Sequence, residues 1–140
     1  MTDNQERANE YLMKIRIINK RIVRRLQEIE ALKLSATGVG AVRYDKDRVQ
    51  TSPQNYMEIA MADAFEKERE NEEDAATVDD VKMTAYQIVR VMPETEHRTM
   101  LEHYFFNCYN MEDIAVMMHV SERTAYDIKS DALEEFGKRL

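Results

Sequence analysis

The chain has 140 residues, of which 20 are basic and 27 acidic, so its formal net charge is −7. That length suits one domain, or a compact module with an appendage. The single cysteine, Cys108, excludes an intramolecular disulfide framework, and no apolar run approaches the ~20 residues of a membrane span.

The N-terminal Met1-Thr2-Asp3-Asn4 lacks the apolar core of a secretory leader, so a cytoplasmic setting without membrane attachment is expected. The charge is unevenly spread: residues 1–36 carry +3, 37–53 +1, 54–92 −6 and 93–140 −5. Only Gly38, Gly40, Gly137, Pro53 and Pro93 punctuate a chain rich in Glu, Lys, Arg, Met, Ala and Leu. Nothing alternates as strands do, and the composition favours helix, so the expected fold is all-α: long N-terminal helices followed by a C-terminal helical bundle.

Residues 1–36 read as a basic amphipathic helix. Tyr11, Ile15, Ile18, Ile22, Leu26, Ile29 and Leu32 recur at steps of three and four, the spacing of one apolar face. As heptads, Ile15, Ile22 and Ile29 share one seam position, and Tyr11, Ile18, Arg25 and Leu32 the other, so Arg25 is expected to interrupt the seam. Lys14, Arg16, Lys20, Arg21, Arg24 and Arg25 follow one another with no intervening acid. Arg16, Lys20 and Arg24 stack away from the isoleucines. Two readings stand side by side: a solvated face opposite a packed seam, or a patch for phosphate or an acidic partner. The segment's expected roles are oligomerisation, as a homodimer through this helix, or docking on a partner.

Residues 37–53 form a linker, longer than a tight helix hairpin needs. An acidic connecting segment, 54–92, follows, with Ser52 as cap and Pro53 at the first helical position. Its ends are apolar, but Glu66 to Asp74 contains no apolar residue. Such a stretch either projects into solvent or bridges packed regions. Alternatively the helix breaks between Asn71 and Thr77, and Thr77 or Asp79 caps a second one.

Beyond Pro93, Thr99 to Cys108 reads as a short aromatic helix. Asn110 caps the next helix, with Asp113 three residues later. Ile114 and Ala115 point inward, and the small Ala115 permits a close helix crossing. His119-Val120 makes a turn in which His119 stands where Gly is usual; His tolerates a left-handed backbone better than most residues. Ser121 caps a last helix with Ala125, Ile128, Ala132 and Phe136 inward and Gly137 as its C-cap. Two helices joined by so short a turn, with these small and β-branched offsets, form the helix-turn-helix pattern. A plain helical hairpin is the other reading.

Three runs, Met100-Leu101 with Tyr104-Phe105-Phe106, Met111-Glu112-Asp113-Ile114-Ala115, and Val120-Ser121-Glu122-Arg123-Thr124-Ala125 with Ala132-Leu133, resemble region 4 of sigma factors, which reads the −35 promoter element. Adding Tyr11-Leu12, Asp47-Arg48-Val49-Gln50-Thr51-Ser52-Pro53 and Ala132-Leu133-Glu134-Glu135-Phe136, nearly the whole chain is similar to the ArpU/RinA-type regulators of phages and prophages in Gram-positive bacteria. The resemblance implies an activator of late phage genes in the bacterial cytoplasm, with promoter DNA and host RNA polymerase as partners. Residues 93–140 would be the DNA-binding domain. The reading surface would be Ser121, Glu122, Arg123, Thr124, Tyr126, Asp127 and Lys129. There Arg123 suits a bidentate contact to guanine, Thr124 and Tyr126 a phosphate or thymine methyl, and Glu122 or Asp127 a cytosine amine. Ser121 and the first-turn amides suit a phosphate, and Lys129 the DNA backbone. Two alternatives remain: a small-terminase-like packaging protein, and a regulator that binds polymerase without touching DNA.

Other chemistries find little footing. His97, His103, His119 and Cys108 lack zinc-ligand spacing, no phosphate-cradling glycine loop exists, and no Ser, His and Asp grouping emerges. Neither a metal nor a cofactor nor an enzyme activity is expected. Because residues 93–140 are acidic, DNA binding is expected to draw on the cluster Lys14 to Arg25, a second copy or polymerase.

Overall fold

A computed structural model describes residues 1–36 and 53–140. The linker reading, with Ser52 as cap, falls outside them. Five α-helices account for nearly all of the described residues: α1 (Asp3–Ala36), α2 (Pro53–Val91), α3 (Thr95–Leu101), α4 (Met111–Met117) and α5 (Glu122–Arg139). α3 runs on into a π-helical turn, Glu102–Phe106, and no strand occurs among the described residues. The chain divides into two compact units, one of Met1–Lys20 with Thr77–Leu140, the other of Arg21–Ala76.

The core of the first unit joins Ala8, Leu12 and Ile15 of α1 to Val78, Ala85 and Val89 of α2, Met92, Leu101, Phe105, and Ala132, Leu133 and Phe136 of α5. Complete burial of Leu12, Ile15, Leu101, Phe105, Leu133 and Phe136 contributes about 1.5–3 kcal/mol each. In this unit the buried stripe on α1 is therefore 8, 12, 15, of which the expected seam supplies Ile15; its Ile29 is buried in the second unit. Tyr11 and Ile18 are only partly buried against the edge of the stripe. A second cluster, Met100, Met111, Ile114, Ala115, Ala125 and Ile128, holds α3, α4 and α5 together.

In the second unit α1 and α2 run antiparallel, since ascending positions on α1 pair with descending ones on α2. Arg21 meets Asp74 at 3.5 Å, Arg25 meets Asp74 at 2.6 Å and Glu70 at 3.1 Å, and Glu28 meets Lys67 at 3.0 Å. Arg25 does not break the packing. Its guanidinium also donates to Asn71 Oδ1 at 3.1 Å, while Asn71 Nδ2 donates to the Ile22 carbonyl at 3.3 Å. A satisfied polar layer of this kind holds two helices in one register. Leu26, expected on the apolar face, is exposed, and Ile22 and Leu32 are half-buried.

α2 is one helix from Pro53, its first residue, to Val91. Thr77 and Asp79 lie inside it, so neither begins a new helix. Ala75 and Ala76 are strong helix formers, and Glu70, Asn71 and Asp74 are held by partners on α1. The run without apolar residues thus forms the charged flank of a packed pair.

Two ends differ from expectation in the first unit. α3 begins at Thr95, and its aromatic continuation widens: the Asn107 amide donates to the Glu102 carbonyl at 2.9 Å, five residues back. Gly137 is no C-cap, because α5 continues to Arg139 and Gly137 is buried within it. A Cβ there would lie 2.2 Å from the Asn4 carbonyl oxygen. The glycine serves close approach of α5 to α1 and not chain reversal.

Candidate functional site

The pair α4 and α5 is built from three local devices. Asn110 Oδ1 accepts from the Asp113 amide at 2.8 Å and starts α4. At its other end Met118 is followed by His119 at φ 59. The His119 amide donates to the Val116 carbonyl at 3.2 Å and the Val120 amide to the Ala115 carbonyl at 3.0 Å. These two bonds make a Schellman motif with His119 at the left-handed position normally given to glycine. Ser121 Oγ then accepts from the Thr124 amide at 3.1 Å and starts α5. Ala115, Ala125 and Ile128 are buried, with Val120 packed partly against them.

This arrangement leaves the first turns of α5 facing solvent. Ser121, Glu122, Arg123, Thr124, Tyr126 and Asp127 are all exposed and occupy one stretch of the helix. Ser121 is partly engaged, since its hydroxyl donates to Thr124 Oγ1 at 2.9 Å. Lys129 departs from the group. It is half-buried, with Nζ 4.0 Å from the centroid of the Tyr104 ring and 6.0 Å from that of Phe105. Its charge rests on an aromatic face, an attraction of roughly 0.5–2 kcal/mol, rather than projecting into solvent.

The same Tyr104 ring carries Arg16, whose guanidinium carbon lies 3.9 Å from the centroid. Arg16 is buried, not on a solvent face. Its Nη1 donates to the carbonyls of Tyr104 and Tyr109, the latter at 3.1 Å. Beside it Asn19 Nδ2 donates to the Phe106 carbonyl at 3.2 Å, and Cys108, itself at φ 61, places Sγ 3.7 Å from the Arg16 carbonyl. A charged donor here satisfies carbonyls that the π-turn leaves unpaired where the helix ends. Burial pushes the Cys108 thiol up, with Arg16, Lys20 and Lys82 opposing, so the thiol is protonated and poorly nucleophilic at neutral pH.

Of the remaining cations, Lys14 is exposed, its Nζ 5.9 Å from the Tyr11 ring centroid, and Lys20 is exposed. In the second unit Arg24 is exposed, while Arg21 and Arg25 are drawn to the carboxylates of α2. Three of the six clustered cations, Arg16, Arg21 and Arg25, are thus engaged inside the fold.

The N-terminus reaches α5 directly. Gln5 Nε2 donates to the Ser130 carbonyl at 3.0 Å, Asn4 Nδ2 to Glu134 Oε1 at 3.1 Å, and Thr2 Oγ1 to Glu134 Oε2. The Thr2 and Asn4 hydrogen bonds hold the Glu134 carboxyl below its usual range. None of these contacts was visible in the sequence. The nearest clue is the step Ala8, Leu12, Ile15, which puts Gln5 and Arg16 on the margins of the buried stripe.

Among the described residues, no helix is long and apolar enough to cross a membrane and no His, Cys, Asp and Glu group could hold a metal ion. Compared with protein families, curated proteins and solved structures, the chain matches none.

Proposed function

We propose that the chain is a phage or prophage transcription regulator whose α4 and α5 act as a helix-turn-helix, α5 entering the major groove of promoter DNA by its first turns. The observation that carries this reading is the presentation of α5. A Schellman turn at His119 and the Ser121 cap hold its N-terminus clear of the core, with Arg123, Thr124, Tyr126 and Asp127 exposed together. A recognition helix needs this combination of rigid footing and free first turns. Arg123 supplies the guanine contact, with Glu122 and Asp127 as acceptors for cytosine amines.

Host RNA polymerase belongs to the same proposal as a partner, and so does a second copy through α1. With Arg16 committed to the Tyr104 and Tyr109 carbonyls and Lys129 to the Tyr104 ring, few cations remain for phosphates, so DNA binding is weak with a shallow salt slope. That acidity favours a second reading, in which the α5 surface grips polymerase and touches no DNA.

The experiment selects binding sequences from a random duplex pool, then compares wild type and Arg123→Ala by fluorescence anisotropy on the selected site and on a scrambled one. Loss of about 1–3 kcal/mol of discrimination at one base pair is expected. Equal, sequence-blind binding by both proteins sinks direct readout. Affinity for core polymerase with none for DNA at low salt selects the second reading.

A further inference from the structure

We infer that Tyr104 is a positioning residue for DNA binding: its ring holds Lys129 off the phosphate backbone and so lowers the share of the affinity that is blind to sequence. This inference rests on the reading of α5 as a recognition helix. From Ser121 to Ser130 the chain has two cations, Arg123 and Lys129. At about 100° per residue, Lys129 lies about 60° round the helix from Tyr126. Tyr126 and Ser130, on either side of it in the chain, are both exposed. A lysine at this margin, on a flexible four-carbon stem, has the reach to meet a phosphate at the edge of the groove. Instead its Nζ stands 4.0 Å from the Tyr104 ring centroid and 6.0 Å from that of Phe105.

The ring is the fixed member of this pair. Tyr104 packs against both hydrophobic clusters of the first unit. Its ring meets that of Phe105 edge-on, with centroids 4.8 Å apart, and its carbonyl accepts from the buried Arg16. The Arg16 guanidinium carbon lies 3.9 Å from the same centroid. The ring is therefore placed by α1 and the π-turn, and the lysine comes to it. A phosphate contact adds affinity on every sequence alike and steepens the log–log salt dependence by about 0.9. A cation kept on an aromatic face does neither. Residues 93–140 carry −5, and with Lys129 withheld their affinity is left to Arg123 and its neighbours, which face the base edges.

Fluorescence anisotropy of the full chain on the selected duplex and a scrambled one, between about 50 and 200 mM KCl, tests it. Tyr104→Leu, which removes the ring face, is expected to bind both duplexes more tightly by the same factor, with a salt slope steeper by about 0.9. Tyr104→Phe keeps the face and is expected to match the wild type. Adding Lys129→Ala to Tyr104→Leu is expected to restore the wild-type slope, which a loosened fold alone would not do. Lys129→Ala by itself, a truncation outside both hydrophobic clusters, is expected to leave the wild-type slope unchanged. It carries the test if Tyr104→Leu loses its helical circular dichroism. A slope that Lys129→Ala lowers by about 0.9, or that a folded Tyr104→Leu leaves unchanged, overturns the role of Tyr104 while the DNA reading stands. So does a steep slope that persists in the double variant. Absence of wild-type binding to either duplex at low salt overturns both.

Discussion

Gly137 of α5 lies so close to Asn4 of α1 that any β-carbon on it would sit 2.2 Å from the Asn4 carbonyl oxygen and 2.6 Å from the carbonyl carbon. The obstacle is backbone, which cannot rotate aside as a flexible side chain can. Gly137→Ala therefore sets a gain against a loss. Alanine improves helix propensity by about 1 kcal/mol, while forcing two helices apart costs about 1–3 kcal/mol and sometimes more. The Thr2, Asn4 and Gln5 contacts with α5 go with the displacement. The expected outcome is a net loss of stability, read as a lower urea midpoint. A midpoint equal to or above wild type would mean that α1 and α5 are not so tightly apposed.

Arg16 supports the first unit rather than any ligand. Arg16→Met keeps the bulk of the side chain but removes the donor for the Tyr104 and Tyr109 carbonyls and the cation over the Tyr104 ring. Each buried acceptor left without a partner costs about 1–3 kcal/mol. Arg16→Lys is expected to recover only part of the loss, since one ammonium cannot reproduce a planar guanidinium that stacks and bonds at once. Lys20→Ala, which removes an exposed cation, is expected to leave stability within about 0.5 kcal/mol of wild type. Chemical denaturation of the three variants separates these effects. Equal stability of Arg16→Met and wild type would return Arg16 to the solvent-face reading.

Composition and periodicity reached the helices but not their depth in the core. Helix termini at Pro53, Asn110 and Ser121 were legible because proline and short polar side chains have local reasons to stand there. The left-handed turn at His119 followed from a helix ending where another must begin. By contrast, the buried stripe of α1 was only partly placed: Ile15 and Ile29 are buried as expected, Leu26 is exposed, and Ala8 and Leu12 were missed. A heptad assumes one partner along the whole helix, whereas Ala8, Leu12 and Ile15 serve one unit and Ile29 another. Arg16 and Arg25 look alike as cations in a basic run. Only tertiary partners distinguish them: two backbone carbonyls for one, Glu70, Asn71 and Asp74 for the other. Gly137 misled for the same reason, since a glycine near a chain end signals a cap unless a neighbouring helix passes within contact.

His119 carries backbone strain that substitution can relieve. A left-handed conformation costs a side chain about 1–2 kcal/mol, and glycine adopts it freely at an entropic cost of about 0.5–1 kcal/mol. His119 is exposed, so little packing is lost. His119→Gly is expected to raise stability by about 0.5–1 kcal/mol, and His119→Val to lower it, because a β-branched residue at φ 59 is strongly disfavoured. Thermal unfolding of the two variants measures this. A destabilised His119→Gly would show that the histidine makes compensating interactions of its own.

Glu134 couples the N-terminus to α5 in a pH-dependent way. The Thr2 and Asn4 hydrogen bonds lower its carboxyl pKa in the folded chain. A group whose folded pKa is depressed binds fewer protons folded than unfolded, so it contributes stability at pH above the ordinary carboxylate value of about 4.3. That contribution disappears as pH falls through the folded pKa. Between pH 7 and pH 3 the wild type is therefore expected to lose more stability than Glu134→Gln, which keeps an acceptor for Thr2 but cannot titrate. Because the carboxylate is solvent-facing, the difference is small and shrinks with added salt. Urea midpoints across that range, at low and high salt, check it, and parallel curves for the two proteins would show that Thr2 and Asn4 do not hold the carboxylate in solution.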